Sequence, residues 1–244
     1  MPRNRIYFIS DAHLGTRLSG RSNRDQEESL VAFLRSIRKD AEVLYVVGDL
    51  FDFWFEYRTV VPARAGKVLF ALHALVQDGV RVVYLPGNHD IWLGDYLSEQ
   101  VGLHLPGGPV AVEHQGRRVY VTHGDELREN WKARLKRWIL KNPVCIVLFR
   151  LLHPDLGAFL ASTISRLSNY RSRSIANPTR EIPVPVIREK ITRGFDIVVC
   201  GHFHRPLQAR MDGGTFVVLG DWLYDDHYAV MENGEISLKK WSSP

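Results

Sequence analysis

The chain carries five short polar motifs, and each of them directly follows a short run of apolar residues. In order, they are Asp11-Ala12-His13, Gly48-Asp49, Gly87-Asn88-His89-Asp90, His123-Gly124-Asp125 and Gly201-His202-Phe203-His204. A short apolar run bounded by glycine and polar residues is typical of a buried β-strand. The pattern therefore predicts that Asp, His and Asn side chains stand at the ends of successive strands.

The order of the other elements favours two sheets in one domain that spans residues 1–244. Apolar runs at 5–9, 42–47 and 80–85 alternate with segments of helical spacing at 24–39 and 63–78. This βαβαβ order predicts parallel strands. A hairpin is expected around Gln115-Gly116, and further strands are expected at 196–200, 207–211, 215–219, 227–231 and 235–241. We expect two mixed sheets packed face to face, with helices outside.

Residues 127–176 interrupt this pattern and predict a helical cap inserted between two motifs. The segment has no strand signal, and helical composition is broken near Asn142-Pro143 and His153-Pro154. Residues 126–175 contain ten Lys and Arg against three acidic residues, which gives this segment a net charge of +7. The rest of the chain has a net charge of −2, and the total is +5. Large apolar residues lie between these cations. The apolar residues could form a ligand groove or core, and the cations a solvated face or a nucleic-acid site.

Cysteine usage and hydropathy indicate a compartment. The 2 cysteines form no disulfide framework, and a strand is expected almost at once, at Ile6–Ile9, which leaves no space for a signal peptide. There is no apolar run of about 18 residues, the length that a membrane-spanning helix needs. We expect a cytoplasmic protein.

The motifs provide ligands that suit two divalent metal ions. The candidate ligands are Asp11, His13, Asp49, Asn88, His123, His202 and His204. The two Asp-X-His or His-X-His pairs place both side chains on one side of an extended segment, because side chains there alternate with a period of two. Asp49 is the candidate for a carboxylate that bridges both ions. Two adjacent metal ions suit hydrolysis of a phosphate ester or anhydride. Any one motif alone could be a turn or a helix cap, but five in order argue against coincidence.

Three neighbouring residues are the candidates for catalysis. His89 follows the candidate ligand Asn88 and could protonate a leaving oxygen or bind a phosphoryl oxygen. Asp90 could orient His89, or it could cap a helix that begins at Ile91. Asn88, His89 and Asp90 are therefore predicted to carry catalytic roles.

In these motifs the chain resembles the calcineurin-like metallophosphoesterases, a family with a four-layer α/β-β/α sandwich and a dinuclear metal centre. The resemblance implies that one ion is held by Asp11, His13, Asp49 and His204. It implies that the other is held by Asp49, Asn88, His123 and His202. It also implies a reaction in which a hydroxide that bridges the two ions attacks phosphorus.

The segment from Gly48 to Trp54 and the cap are similar to those of the UDP-2,3-diacylglucosamine diphosphatases of lipid A biosynthesis. This resemblance implies cleavage of a lipid-linked sugar nucleotide, UDP-2,3-diacylglucosamine, to UMP and 2,3-diacylglucosamine 1-phosphate. It also implies manganese as the metal, acyl chains under the cap, and peripheral attachment to the inner face of the cytoplasmic membrane. The substrate-binding residues it implies are Asn88, His89, Arg171, Ser174, Asn177 and Arg180.

One position departs from that branch of the family, because its best-known enzymes carry Arg where this chain has His89. The alternative function is therefore a metallophosphodiesterase or nuclease that acts on soluble nucleotides or nucleic acid. Such an enzyme would not need the large apolar residues of the cap, so we expect no nucleic-acid partner. A binding module with a degenerate metal centre is a third alternative, which the seven retained ligand positions argue against. The oligomeric state stays open, since an apolar cap could also hold a dimer.

Overall fold

A computed structural model gives the structure of this chain and describes residues 3–16, 22–62, 66–128, 131–161, 163 and 182–242. Among these residues, no helix combines the length and the apolar content that crossing a bilayer requires.

The first sheet joins the two ends of the chain. Its strands are β1 (Arg5–Ile9), β2 (Ala41–Val47), β3 (Arg81–Leu85), β9 (His227–Glu232) and β10 (Glu235–Lys240), in the spatial order β10-β9-β1-β2-β3. β1, β2 and β3 are parallel, whereas β9 is antiparallel to both of its neighbours. The helices α1 (Asn23–Ser36) and α2 (Gly66–Gln77) connect the parallel strands. The predicted βαβαβ opening is confirmed.

The second sheet has the same number of strands and a similar plan. Its strands are β4 (Val110–His114), β5 (Arg117–Thr122), β6 (Ile197–Cys200), β7 (Leu207–Met211) and β8 (Gly214–Val218), in the order β4-β5-β6-β8-β7. β5, β6 and β8 are parallel, and the outer strands β4 and β7 are antiparallel to their neighbours. The hairpin expected around Gln115-Gly116 joins β4 to β5.

Alternating side chains of the strands create three layers of core. On β1, Ile6 and Phe8 pack between the two sheets, whereas Tyr7 and Ile9 pack against α1 and α2. This alternation follows from the period of two in a strand. On the far side, the helix α6 (Val184–Thr192) buries Ile187 against the second sheet. Helices, two mixed sheets and a helix thus form the predicted four-layer α/β-β/α sandwich.

Further helices lie between β3 and α6. They are α3 (Tyr96–Glu99), which precedes β4, then α4 (Trp131–Leu140) and α5 (Pro143–Arg150), followed by a helical stretch at 154–161. α5 begins where the sequence predicted a break, because the Asn142 side chain accepts a hydrogen bond from Val144 N at 2.8 Å and Pro143 occupies the first turn. Within 127–176 the described residues are mainly helical, and residues 129, 130, 162 and 164–176 lie outside the described residues, so the cap stays a prediction.

Candidate metal centre

The candidate ligands all follow the carboxyl ends of parallel strands. Asp11 and His13 follow β1, Asp49 follows β2 and Asn88 follows β3; His123, His202 and His204 follow β5 and β6 of the other sheet. Parallel strands present their carboxyl ends at one edge, so two stacked sheets bring these loops together. A hydrogen bond of 2.8 Å from His202 N to Asp11 Oδ2 joins the loops of the two sheets directly.

The backbone is unusual at these ligands. Positive φ angles occur at Asp11 (53°), His13 (45°), Asp49 (52°), His202 (66°) and His204 (52°). Residues other than glycine seldom adopt this left-handed conformation, and it costs of the order of 1 kcal/mol or more per residue. Five such residues in one cluster indicate that these loops adopt a costly backbone conformation, which directs the side chains of the candidate ligands toward one another.

One group of donor atoms surrounds Asp11. Asp11 Oδ1 lies 3.4 Å from His204 Nε2 and 3.8 Å from His13 Nε2, and the two imidazole nitrogens are 3.4 Å apart. The rings of His13 and His204 stack, with centroids 5.1 Å apart. These three residues form a group whose ligand atoms lie within 4.8 Å of one another.

A second group surrounds Asp49 and touches the first. Asp49 Oδ2 lies 3.4 Å from His123 Nε2 and 3.8 Å from His13 Nε2, so this oxygen stands between the two groups. Asp49, His123 and His202 also present ligand atoms within 4.8 Å of one another. Asn88 Oδ1 lies 3.3 Å from His123 Nε2. The structure therefore brings all seven candidate ligands together.

Hydrogen bonds from the surrounding backbone decide which ligand atoms remain available. His123 Nδ1 donates to Val47 O at 2.9 Å, which turns Nε2 toward Asp49. The other carboxylate oxygen of Asp49 accepts a bond of 2.8 Å from His89 N. One atom of each side chain is thus engaged, and the other faces its neighbours in the cluster.

The charges of the cluster are strongly coupled. Burial alone would raise the pKa of Asp11, but the imidazole of His204 lowers it below its usual range. At Asp49, burial would likewise raise the pKa. The imidazole of His123 outweighs this effect, and the pKa of Asp49 is held well below normal. In return, Asp49 raises the pKa of His123 well above normal against the effect of burial, and Asp11 raises that of His13. Acids and imidazoles that stabilise each other in this way form a site of concentrated charge.

The donor set fits divalent cations. Asp11 Oδ1 is buried and has no hydrogen-bond partner among the described residues, although buried polar atoms are normally satisfied. Burial, and then the charge of His123, lower the pKa of His202 to about 3, which leaves its imidazole in the neutral form that binds metals. Carboxylate, amide and imidazole donors together suit manganese, iron, zinc or magnesium.

His89 stands beside the cluster, and its partner is Asp52. His89 Nδ1 donates to Asp52 O at 3.1 Å and lies 3.6 Å from Asp52 Oδ1. The prediction that Asp90 orients His89, or caps a helix at Ile91, is corrected by the structure. The Asp90 carboxylate is fully buried, and it accepts hydrogen bonds from Leu50 N, Gly87 N and the Tyr84 hydroxyl. No helix begins at Ile91. Asp90 therefore holds the loop of Asn88 and His89 in place.

One cavity borders the cluster, and a second cavity adjoins the first. The first, of about 40 Å³, is lined by His123, Gly87 and Glu126 among others. The second, of about 440 Å³, lies between the loops at 55–58 and 91–95 and the helix α5. Ile91 and Lys141 line both cavities, so the cavity beside His123 and the larger cavity share a wall.

The larger cavity combines apolar walls with cations. Its apolar lining includes Phe55, Tyr57, Ile91, Trp92, Leu93 and Ile146, its cations are Arg58, Lys141 and Arg150, and its acidic residues are Glu56 and Asp95. Its volume is in the range of pockets for small molecules, about 300–1,000 Å³. Four predicted substrate contacts, Arg171, Ser174, Asn177 and Arg180, lie outside the described residues.

Two further side chains support the site; the position of Asp221 after a strand already suggested such a role without a mechanism, whereas Gln26 was missed by the sequence analysis. Asp221 follows an apolar run and a glycine, the same signal as Gly48-Asp49, and its carboxylate Oδ2 lies 3.2 Å from His204 Nδ1. Gln26 is fully buried on α1 and donates to the carbonyl oxygens of Ala12 and Trp222. A polar residue on the apolar face of a predicted helix was the signal for Gln26.

Comparison with known proteins agrees with this geometry. The model of the family described as calcineurin-like phosphoesterase matches residues 4–206. The chain belongs to the calcineurin-like phosphoesterase family. A protein of Porphyromonas gingivalis named UDP-2,3-diacylglucosamine hydrolase is 32% identical over 97% of both chains. A protein of the same name from Aeromonas hydrophila is 30% identical over 96% of this chain and 97% of its own length.

Among solved structures, an archaeal phosphodiesterase has the same fold. It aligns with a TM-score of 0.50 at 13% identity, over 97% of this chain and 99% of that chain. The family and the clustered ligand groups together indicate that this calcineurin-like phosphoesterase is a metal-dependent hydrolase.

Proposed function

We propose that the chain hydrolyses the diphosphate of UDP-2,3-diacylglucosamine, releasing UMP and 2,3-diacylglucosamine 1-phosphate. The observation that carries the proposal is the 32% identity over 97% of both chains with a UDP-2,3-diacylglucosamine hydrolase. This similarity extends over nearly the whole length and so includes the segment between the motifs. A similarity confined to the metal ligands would not include that segment.

In this proposal seven side chains would hold two divalent ions, and the ions are manganese. Asp11, His13, Asp49 and His204 would bind one ion, and Asp49, Asn88, His123 and His202 the other. The position of Asp49 Oδ2, 3.4 Å from His123 Nε2 and 3.8 Å from His13 Nε2, supports a bridging role. When bound, such ions lower the pKa of water and neutralise phosphoryl oxygens.

The protein itself contributes orientation and a proton. Because Asp52 O accepts from Nδ1, His89 presents Nε2 toward the cluster, where its ring lies 4.7 Å from that of His13. From there, His89 would bind a phosphoryl oxygen or protonate the leaving oxygen. Asn88 is the most exposed of the candidate ligands and would meet the substrate as well.

The cap and the larger cavity support an acylated substrate. Phe149 of α5 packs on Phe55 and Trp92, with ring centroids 4.7 Å and 4.8 Å apart, so this helix forms one wall of the cavity. A diphosphate at the metal ligands would place the rest of the substrate beside Ile91 and Lys141, which line both cavities. Apolar walls would hold acyl chains and the cations would meet phosphate.

The outer face of the cap supports peripheral attachment to the inner face of the cytoplasmic membrane. Exposed large apolar side chains are concentrated at 131–160, where they are Trp131, Leu135, Trp138, Ile139, Val144, Val147, Leu148, Leu151, Leu156, Phe159 and Leu160. Soluble proteins seldom expose an apolar surface of this extent. The positive charge of the same segment favours anionic lipid headgroups.

The test is manganese-dependent release of UMP from UDP-2,3-diacylglucosamine, measured beside its deacylated analogue and an aryl phosphodiester. We expect fast release only from the acylated substrate, and none from the Asp49→Ala variant, which lacks the bridging carboxylate. Good activity on the two soluble compounds with little on the lipid would retain the metal chemistry. It would replace the proposed substrate with a soluble nucleotide or a nucleic acid.

A further inference from the structure

The carboxylate of Asp221 contacts a candidate metal ligand from outside the cluster. Asp221 follows β8 and is only 5% exposed. Its Oδ2 lies 3.2 Å from His204 Nδ1, and its Oδ1 accepts a hydrogen bond of 2.8 Å from Tyr224 N. Both oxygens of this buried side chain are thus engaged, one by the backbone and one by the imidazole.

The contact fixes the tautomer of His204. A carboxylate accepts hydrogen bonds, so Nδ1 carries the proton and Nε2 keeps its lone pair. That lone pair is on the side of Asp11 Oδ1, 3.4 Å away, and of His13 Nε2, also 3.4 Å away. A carboxylate behind an imidazole in this manner orients the ring and makes it a stronger metal ligand.

His204 depends on a side chain for an orientation that His123 obtains from the backbone. The partner of His123 Nδ1 is the carbonyl oxygen of Val47, at 2.9 Å, which is part of β2. The imidazole of His204 is half-buried, and its Nδ1 is held by Asp221. Substitution of Asp221 therefore removes the contact that holds His204 Nδ1 among the described residues.

The loop that carries Asp221 is tied to the loop of Asp11. Trp222 N donates to Asp11 O at 3.3 Å, and Trp222 O accepts a bond of 3.2 Å from Gln26 Nε2. Gln26 also donates to Ala12 O, so the buried end of α1 bridges the two loops. The distance between Asp221 and the metal ligands is thereby set by the backbone.

We propose that Asp221 is a positioning residue that holds His204 in the tautomer and orientation required to bind a divalent cation. The inference rests on the proposed function in one respect, that His204 is a metal ligand. It adds a residue that neither the family motifs nor the names of the relatives assign.

The first measurement uses Mn²⁺ alone as the probe and compares its Kd for the wild-type chain and for Asp221→Asn. We expect binding to weaken by about 10- to 100-fold, the usual effect of removing such a support. The matched control is Asp225→Asn, on the same loop, where the carboxylate pairs with Lys240 Nζ at 2.8 Å and is half exposed. This control removes the same charge and is expected to leave the Kd for Mn²⁺ unchanged.

The second measurement determines the tautomer of His204 directly. It uses the wild-type chain, so it does not depend on whether a variant folds. In ¹⁵N spectra of the histidine side chains of the metal-free wild-type chain, His204 is expected to carry its proton on Nδ1. A proton on Nε2, or an unchanged Kd in Asp221→Asn, overturns the inference and leaves the proposed function standing. A wild-type chain that binds no Mn²⁺ overturns both.

Discussion

Among single residues, two glycines of the motifs are required because a candidate ligand of another motif lies against them. A Cβ at Gly87 would collide with Asp49 Oδ1 and would lie 2.6 Å from Asp49 N. A Cβ at Gly201 would lie 2.6 Å from Asp11 Oδ2. These glycines thus allow the loops of different strands to approach closely enough for the carboxylates to share one cluster.

We therefore expect Gly87→Ala to displace the Asp49 carboxylate. The affinity for Mn²⁺ should fall by at least about tenfold, the lower end of the loss seen when a ligand is no longer held in place. The measurement is the Kd for Mn²⁺ together with kcat/KM for the acylated substrate.

The matched control for this substitution is Gly108→Ala. A Cβ at Gly108 meets nothing within 4 Å, and its φ lies outside the left-handed region. Wild-type affinity for Mn²⁺ in Gly87→Ala would show that the Asp49 carboxylate tolerates the added methyl group.

At the scale of elements, α5 divides its apolar residues between two tasks. Phe149 packs on the body of the protein against Phe55 and Trp92, whereas the neighbouring Leu148 is 59% exposed. Trp92 Nε1 also donates to Leu140 O at 2.7 Å, which attaches the end of α4 to the same place. The helices are thus anchored through one aromatic cluster and expose the remainder of their apolar surface.

We expect Leu148→Ser to raise KM for the acylated substrate by about tenfold, since it removes roughly 1.5 kcal/mol of apolar contact between the outer face of the cap and the lipid surface that presents this substrate. KM for the deacylated analogue and the melting temperature should not change, because Leu148 is exposed. Steady-state kinetics on both compounds provides the measurement.

Two further variants frame that result. Phe70→Ser changes a side chain of α2 that is 77% exposed, outside the cap, and should alter neither KM. Phe149→Ala should loosen α5 and make it susceptible to proteolysis. Equal changes of KM on both compounds in Leu148→Ser would mean that this residue supports the fold rather than contact with lipid.

At the scale of the whole molecule, two sheets bring buried acids and imidazoles to one edge, and the stability of the metal-free chain should depend on pH. The pKa values of His13 and His123 are raised above the ordinary 6.5, chiefly by Asp11 and Asp49, against the opposing effect of burial. Their contribution to stability is complete below the ordinary value and is lost as pH rises through the raised values.

We therefore expect the melting temperature of the metal-free chain to fall as pH rises from about 6.5 into the alkaline range. Saturating Mn²⁺ should reverse this trend, because the cation replaces the protons that the imidazoles lose. Thermal unfolding at several pH values, with a chelator and with Mn²⁺, tests this.

His123→Gln should flatten the pH dependence, and His153→Gln is the matched control because the His153 side chain is 73% exposed. A metal-free chain whose melting temperature rises over the same interval would contradict the linkage.

Much of this protein was predictable because its signals are local in the sequence. Apolar runs, their polar ends and the βαβαβ order predicted the strands, the two sheets and the seven candidate ligands. The break at Asn142-Pro143 and the hairpin around Gln115-Gly116 were predictable from capping and turn chemistry. Boundaries shifted by a few residues, as at α1, where the predicted helix at 24–39 became an α-helix followed by a 3₁₀ turn at Ile37–Lys39.

Residue type and the period of a strand were enough to identify the chemical groups at the strand ends and their order. Which groups support them depends on the three-dimensional packing of the loops. That His89 is held by Asp52 rather than by Asp90, and that Asp221 lies behind His204, depends on how separate loops meet. Asp11 and His202, whose loops meet in a hydrogen bond, are 191 positions apart. No local pattern encodes such contacts, because they arise only when two sheets stack.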